Sequence, residues 1–427
     1  MVASNPGNFI ASDQAQDAKH RHLMLFELSV GGHYPGYIQH LVQYWRDQHL
    51  TGKLTIVVSP KFIEQHADVV ESAAGYEQWI RFISVTTAEA AALVPRKSPV
   101  HRAVRAFQMW CLLCKYAASV NASHCLIMYL DSFQTPLAVG TKAPCSLSGI
   151  YFRPTFHYNT LSHYDPSWKD RIQQWREKLI LPHVFAHPQL QTVFCLDPFV
   201  IQPLSQFCHQ VRVVSLSDPV QIYPHSEDTV FKLQEALGIQ PNRLVFLMFG
   251  ALDERKGIHQ LLEATLMLPP ELCQKLCLLF VGPIKPQDKI RMQPQLTQLS
   301  ETLGVQILIH DKFVSDHEIQ PYFQLADVVL ALYQRHVGMS AILARAATAQ
   351  TPVLASDYGL MGEITQYYGL GLTVDSMVPA EIAQGLTQLL TEPPAKVGDR
   401  AKMYAFAEQN SAECYAKTIF EQIGSNP

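Results

Sequence analysis

Charge is scarce in this chain of 427 residues: Lys, Arg, Asp and Glu together make up 16%, against roughly 25% in ordinary soluble domains. Lys plus Arg number 33 and Asp plus Glu 37, a net charge of -4. Without a basic excess a nucleic-acid partner is not expected, because binding a phosphate backbone needs clustered cations. Long apolar runs are missing too, and no stretch approaches the ~20 residues that cross a bilayer. Residues 1–20 lack the apolar middle of a signal peptide and read as a flexible tail. The nine cysteines, an odd number, form no disulfide framework. A cytoplasmic setting is therefore expected. Cys111 and Cys114 make a C-x-x-C, but inside the apolar run FQMWCLLCKY, which reads as a core-facing helix rather than a metal or redox site.

Strictly spaced nucleotide signatures are equally absent. The first strand runs into Gly31-Gly32-His33-Tyr34-Pro35-Gly36, which fails the G-x-G-x-x-G spacing, and no G-x-x-x-x-G-K-[ST] occurs. No Asp-x-Asp follows a strand end, so no divalent metal is expected on a diphosphate.

What is present is apolar surface, 48% of residues, which excludes disorder over most of the length. Length alone suggests two to three domains at ~150 residues each. Short, nearly continuous apolar runs lie at 22–28, 53–58, 80–85, 124–130, 147–152, 192–196 and 211–216. The pattern restarts at 244–250, 276–282, 305–310, 328–333, 352–356 and 371–374. Such runs suit strands covered on both faces, and helical patterns between them make βα units. The expected class is α/β, with two Rossmann-like doubly wound parallel-sheet domains facing across a cleft. The first spans 21–217 and the second 243–399. Between them 218–242, with Pro219, Pro224 and Pro241, reads as a linker. A last helix, 400–427, is expected to cross back to the first domain.

In such sheets ligands sit at the carboxyl ends of the strands. Arg255 and Lys256 follow 244–250, where they would neutralise a leaving phosphate; the alternative is a solvated basic pair at a helix start, against the helix dipole. Gly338 and Ser340 open a helix whose free N–H groups suit phosphate or sugar oxygens, although Ser340 also reads as an ordinary N-cap. His336 precedes that turn, as a ligand contact or a structural loop residue. Glu363 follows Gly359-Leu360-Met361-Gly362, with first-turn helix stabilisation as its alternative. Asp131 and His157 each follow a strand end in the first half. Each is either an acceptor contact or a structural residue, Asp131 at a helix start and His157 packed in a loop.

Four segments in order resemble the retaining family-4 glycosyltransferases of the two-domain GT-B fold. They are Gly31-Gly32 with the helix behind it, Phe249 through Gly257, Leu279-Phe280-Val281-Gly282, and Gly338 through Glu363. The resemblance covers about 220–420 well and the first half weakly. It implies transfer of a sugar from a nucleotide-diphospho-sugar to a hydroxyl of a glycan, lipid or small metabolite, with retention. No metal or cofactor is implied beyond that co-substrate, and the departing phosphate itself takes the acceptor proton. The expected catalytic residues are Lys256, Arg255, Asp131 and His157. The expected donor-binding residues are Gly31, Gly32, His33, Gly250, Gly282, His336, Gly338, Ser340, Arg345, Gly359 and Glu363. Two departures stand out: the family's Glu-x7-Glu is Val337 and Arg345 here, and the Arg of its Gly-Arg pair is Ala251. An inactive binding or scaffolding relative and a sugar-nucleotide epimerase are the rival readings.

Lys256 is expected to project into a hydrated cleft, so that its loss leaves stability within about 0.5 kcal/mol. Residues 96–115 carry Arg96, Lys97, Arg102, Arg105 and Lys115 with an apolar stripe, Val100, Val104, Phe107, Cys111 and Cys114. That pattern suits peripheral contact with the inner face of an anionic membrane, or a helix packed on the sheet with a basic outer face.

Overall fold

The computed structural model describes residues 21–95, 97–208, 210–223, 225–393 and 396–424. The expected tail, Arg96 of the basic helix, Pro224 of the expected linker and residues 425–427 of the expected last helix lie outside the described residues. The chain divides into two units. The first holds the chain to His157, Trp168–Ser217 and the chain from Tyr415; the second holds Tyr158–Ser167 and Asp218–Cys414.

The first unit is built on seven parallel strands: β1 (His22–Phe26), β2 (Lys53–Val58), β3 (Ile80–Ser84), β4 (His124–Ile127), β5 (Ser146–Tyr151), β6 (Leu190–Cys195) and β7 (Arg212–Ser215), in the order β3-β2-β1-β4-β5-β6-β7. The central strands are apolar on both faces because helices cover both. Around them lie α1 (Tyr34–Asp47), α2 (Pro99–Ser119) and α3 (Trp168–Phe185). α1 buries Tyr37, Ile38, Leu41, Val42 and Trp45, the helical spacing of a single core face.

The second unit repeats the plan with six parallel strands: β8 (Leu244–Phe249), β9 (Leu276–Val281), β10 (Gln306–His310), β11 (Val328–Ala331), β12 (Val353–Ser356) and β13 (Gly371–Val374), in the order β10-β9-β8-β11-β12-β13. Its helices include α4 (Glu227–Leu237), α5 (Asp316–Leu325), α6 (Ala341–Thr348), α7 (Gly359–Tyr367) and α8 (Arg400–Gln409); α9 (Ala412–Gly424) follows. In both sheets the strand order reverses beside the first strand, which opens a crevice at the carboxyl ends of β1 and β4, and of β8 and β11.

Three expectations need correction here. The segment read as a linker contains α4, capped by Ser226 and ended by Gly238 in the left-handed region. Of the expected helix 400–427, the described part, 400–424, is two helices rather than one: the Asn410 carbonyl accepts from Val220 N–H at 2.8 Å, which takes it out of a continuous helical ladder. Tyr415, Ala416, Ile419, Phe420 and Ile423 of α9 pack in one core cluster with Tyr37 and Trp45. Finally, α2 buries Ala106, Met109, Trp110, Leu113, Tyr116 and Ala117, so its core face is rotated away from the Cys111 stripe. Cys111 is exposed, and Val100 is 71% exposed.

Candidate functional site

The loop after β8 ends in a 3-10 turn, Glu254–Lys256, whose first residue follows the cap Asp253. From there Lys256 folds back under the sheet end. Its Nζ donates to the Phe249 carbonyl at 2.8 Å and to the Tyr333 hydroxyl at 2.6 Å, and stands 4.3 Å from the Tyr333 ring centre. Only 9% of Lys256 is exposed. The expected projection into a hydrated cleft is therefore wrong: a buried ammonium needs acceptors, and a main-chain carbonyl and an aromatic face supply them. The Tyr333 hydroxyl continues to Ser340 Oγ at 2.9 Å. Because Lys256 only donates, Tyr333 is free to donate onward to Ser340. Ser340 also caps α6 through the Ile342 N–H, so its N-cap reading holds as well. The relay Lys256–Tyr333–Ser340 thus ties the carboxyl end of β8 to the start of α6. Tyr333 was not anticipated; its one sequence signal is an aromatic residue at the exit of an apolar strand.

Arg255 is solvent-facing, with its guanidinium bonded to Asp253 Oδ2 at 2.8 and 3.2 Å. Its charge is partly answered from within the loop. Gly282 has φ +133, and a Cβ there would lie 2.2 Å from the Gly250 carbonyl oxygen. Gly282 is therefore required by the contact between the β8 and β9 exits, and Gly250 by its own left-handed backbone at φ +103.

The loop from β11 to α6 folds on itself, with the His336 and Tyr333 rings 5.3 Å apart. A Cβ at Gly338 would come within 3.3 Å of His336 Nε2. Gly359 (φ +64) lies so close to Val337 that a Cβ would meet its Cα at 2.8 Å. The vacated Glu position is thus filled by a packing contact. Glu363 accepts from Ser162 N–H at 2.6 Å, and neighbouring Asp357 lies 3.4 Å from His163, so Tyr158–Ser167 straps the start of α7. Arg345 neither contacts an open site nor faces solvent. It is buried on α6, 3.5 Å from Asp316 of α5, and burial lowers its pKa from the ordinary value.

In the first unit Gly31 and Gly32 are exposed, and a Cβ at either would meet nothing within 4 Å. His33 stacks on Tyr37 at 5.9 Å. Asp131 follows β4 and accepts the Phe152 and Arg153 N–H groups at 2.9 and 3.0 Å, latching the exits of β4 and β5. His157 is buried, with Nε2 2.7 Å from Asp197 Oδ2. That pair joins the chain after β5 to the end of β6. The side chains of both residues are thus engaged in holding strand exits together.

Burial pushes the Asp131 carboxyl up to about 7 and raises that of Glu177 as well. A raised acid favours the folded state while protonated, so its contribution is complete below the unfolded pKa and is lost as pH rises through the folded value. Buried His124, held down to about 3, works in the opposite direction in both proteins, so the expected signature is a difference: by chemical denaturation, wild type should lose stability relative to Asp131→Asn between pH 4 and pH 7. Identical slopes for the two proteins would contradict the assignment.

Residues 230–409 match the model of the family described as "Glycosyl transferases group 1". That stretch is therefore similar to the group 1 glycosyl transferases, over about two fifths of the chain. Among curated relatives, a "D-inositol 3-phosphate glycosyltransferase" of Corynebacterium urealyticum is 26% identical over 228 residues, 51% of this chain and 52% of that protein. A "Processive diacylglycerol alpha-glucosyltransferase" of Acholeplasma laidlawii is 30% identical over 105 residues, 22% of this chain and 30% of that protein. The matches thus span about half and about a third of those relatives. Anabaena HepE, solved in complex with UDP, superposes with TM-score 0.64 at 15% identity, covering 95% of this chain and 100% of that one. Sucrose-phosphate synthase from Thermosynechococcus elongatus gives 0.65 at 16% identity, covering 95% and 98%. Identities this low show the fold alone, and it is the GT-B fold expected from the sequence. The matched stretch, 230–409, contains the whole relay from Lys256 to Ser340.

Proposed function

We propose that the protein transfers a sugar from a nucleoside-diphospho-sugar to a hydroxyl acceptor, with retention of configuration and without a metal. One observation carries the reading: a buried ammonium, joined through Tyr333 to the start of α6, stands at the adjoining exits of β8 and β11 inside the stretch similar to the group 1 glycosyl transferases. The donor diphosphate lies against the Lys256–Tyr333–Ser340 relay and the first N–H groups of α6. Arg255 swings from Asp253 to a phosphate oxygen. The Gly359–Glu363 turn meets the sugar, and the first unit takes the acceptor. As the anomeric C–O bond to phosphate breaks, its electron pair passes to the phosphate oxygen. The acceptor oxygen bonds the anomeric carbon on the same face, and its proton goes to that phosphate oxygen. Uridine is the favoured base, because the superposing HepE structures hold UDP and UDP-glucose.

Calorimetry with UDP, GDP, ADP and their common sugar esters should register binding, with UDP strongest. Nucleotide release with acceptor fractions should persist in EDTA. Silence from every nucleotide at millimolar concentration would favour the scaffolding alternative, and release abolished by EDTA and restored by Mn²⁺ would overturn metal independence.

A further inference from the structure

A cavity of about 490 Å³ opens in the first unit between α2, the β4 and β5 exits and α3. Four arginines line it: Arg102 and Arg105 from α2, Arg153 after β5, and Arg176 from α3. Two carboxylates share the lining, Asp131 and Glu177, and both are committed to other donors. Asp131 accepts the two backbone N–H groups described above, and Glu177 accepts the Tyr151 and Thr155 hydroxyls. Arg102, Arg153 and Arg176 are exposed at the rim and make no ion pair among the described residues. Arg105 is anchored through Nη1 to the Val94 carbonyl at 3.0 Å. The first turn of α2 also opens here, and it contains no acidic residue, so the positive end of its dipole adds to the same sign. The upward-shifted carboxyls of Asp131 and Glu177 lessen the opposing charge further.

Four guanidiniums against two carboxyls already engaged by backbone N–H and hydroxyl donors leave a positive excess in one concavity, and the geometry that answers it is a multidentate oxyanion. We propose that this cavity seats a phosphate ester group carried by the acceptor. The proposal rests on the glycosyl-transfer reading for the word acceptor, and on the arginines alone for the phosphate. Two sources present that chemistry, a soluble phosphomonoester and a lipid phosphodiester headgroup. The second has a structural reason to be tested. On α3, Trp168 (68% exposed), Ile172, Trp175 (65% exposed) and Leu179 form a solvent-facing stripe, with Lys169, Arg171, Arg176 and Lys178 interspersed on the same helix, as in helices that lie at lipid surfaces.

The full chain should be titrated with glycerol 3-phosphate, with inorganic phosphate, and with vesicles of phosphatidylglycerol or of phosphatidylcholine. The double variant Arg102→Gln/Arg176→Gln is the comparison, with melting temperature as the folding control. Wild type should bind either the soluble phosphate ester or the phosphatidylglycerol vesicles, not phosphatidylcholine. In the variant that binding should weaken by about 100-fold, while UDP binding stays unchanged. Preference for glycerol 3-phosphate names a soluble acceptor; preference for phosphatidylglycerol names a lipid one. No binding of any phosphate probe, or equal binding by wild type and variant, overturns the cavity assignment. Phosphate binding in a protein that binds no nucleotide leaves the cavity standing and overturns the glycosyl-transfer reading instead.

Discussion

Lys256→Ala is expected to lower turnover by about 30- to 1000-fold, the usual cost of removing one charge-assisted contact from a developing phosphate dianion. The same substitution should reduce folding stability by about 1–3 kcal/mol, because the Phe249 carbonyl and the Tyr333 hydroxyl are left without their buried donor. Turnover and melting temperature therefore move together, and two companions separate the effects. Tyr333→Phe keeps the ring and the Phe249 carbonyl beside the ammonium but removes one acceptor and the link to Ser340, so the rate should fall with a smaller loss of melting temperature than in Lys256→Ala. Val337→Ala, at the position where the family's Glu is replaced, removes no charge and should leave turnover nearly intact. Wild-type transfer by Lys256→Ala would require abandoning the phosphate role of this lysine and of the relay behind it.

Gly282→Ala is expected to be the most destabilising single change at the strand exits. Its methyl would lie 2.2 Å from the Gly250 carbonyl, at a φ of +133. Backbone strain and overpacking together amount to about 3–5 kcal/mol. Urea denaturation should show a lowered midpoint, and nucleotide affinity should fall with it because Gly250 leads into the loop that holds Lys256. Gly31→Ala is the contrast: its methyl meets nothing within 4 Å, so stability should barely change. A Gly282→Ala protein as stable as wild type would mean that the β8 and β9 exits are free to separate.

All thirteen strands lie where apolar runs mark them, because a strand covered on both faces must be apolar at every position. The overshoots have one cause. Residues 124–130 and 328–333 stay apolar beyond the last ladder residue, since Leu130 and Leu332 are buried although the chain has already turned. The glycine-rich strand exits and the helix start at Ser340 were equally legible, being local. What could not be read is the direction of long side chains. Lys256 meets Tyr333 across 77 residues, and Arg345 meets Asp316 through the packing of two helices. The face of α2 was misjudged because the helix has two apolar stripes, and periodicity alone does not say which one the sheet takes. The four-arginine cavity draws on three separate segments, so no single motif announces it.

The placement of α9 has a consequence for how the protein is made. Tyr37 and Trp45 of the first unit wait for Tyr415 and Phe420 to complete their core, and those residues leave the ribosome only after Asp218–Cys414. At ordinary elongation rates that interval is roughly 10–40 s, during which the flank of α1 stays open to water, to chaperones and to neighbouring chains. The nascent first unit is thus held unfinished while the second is synthesised, and a message broken within the second half yields a first half that cannot close. Tyr415, Ala416, Ile419, Phe420 and Ile423 thus act as the clasp that lets the first core close once the second unit has been made.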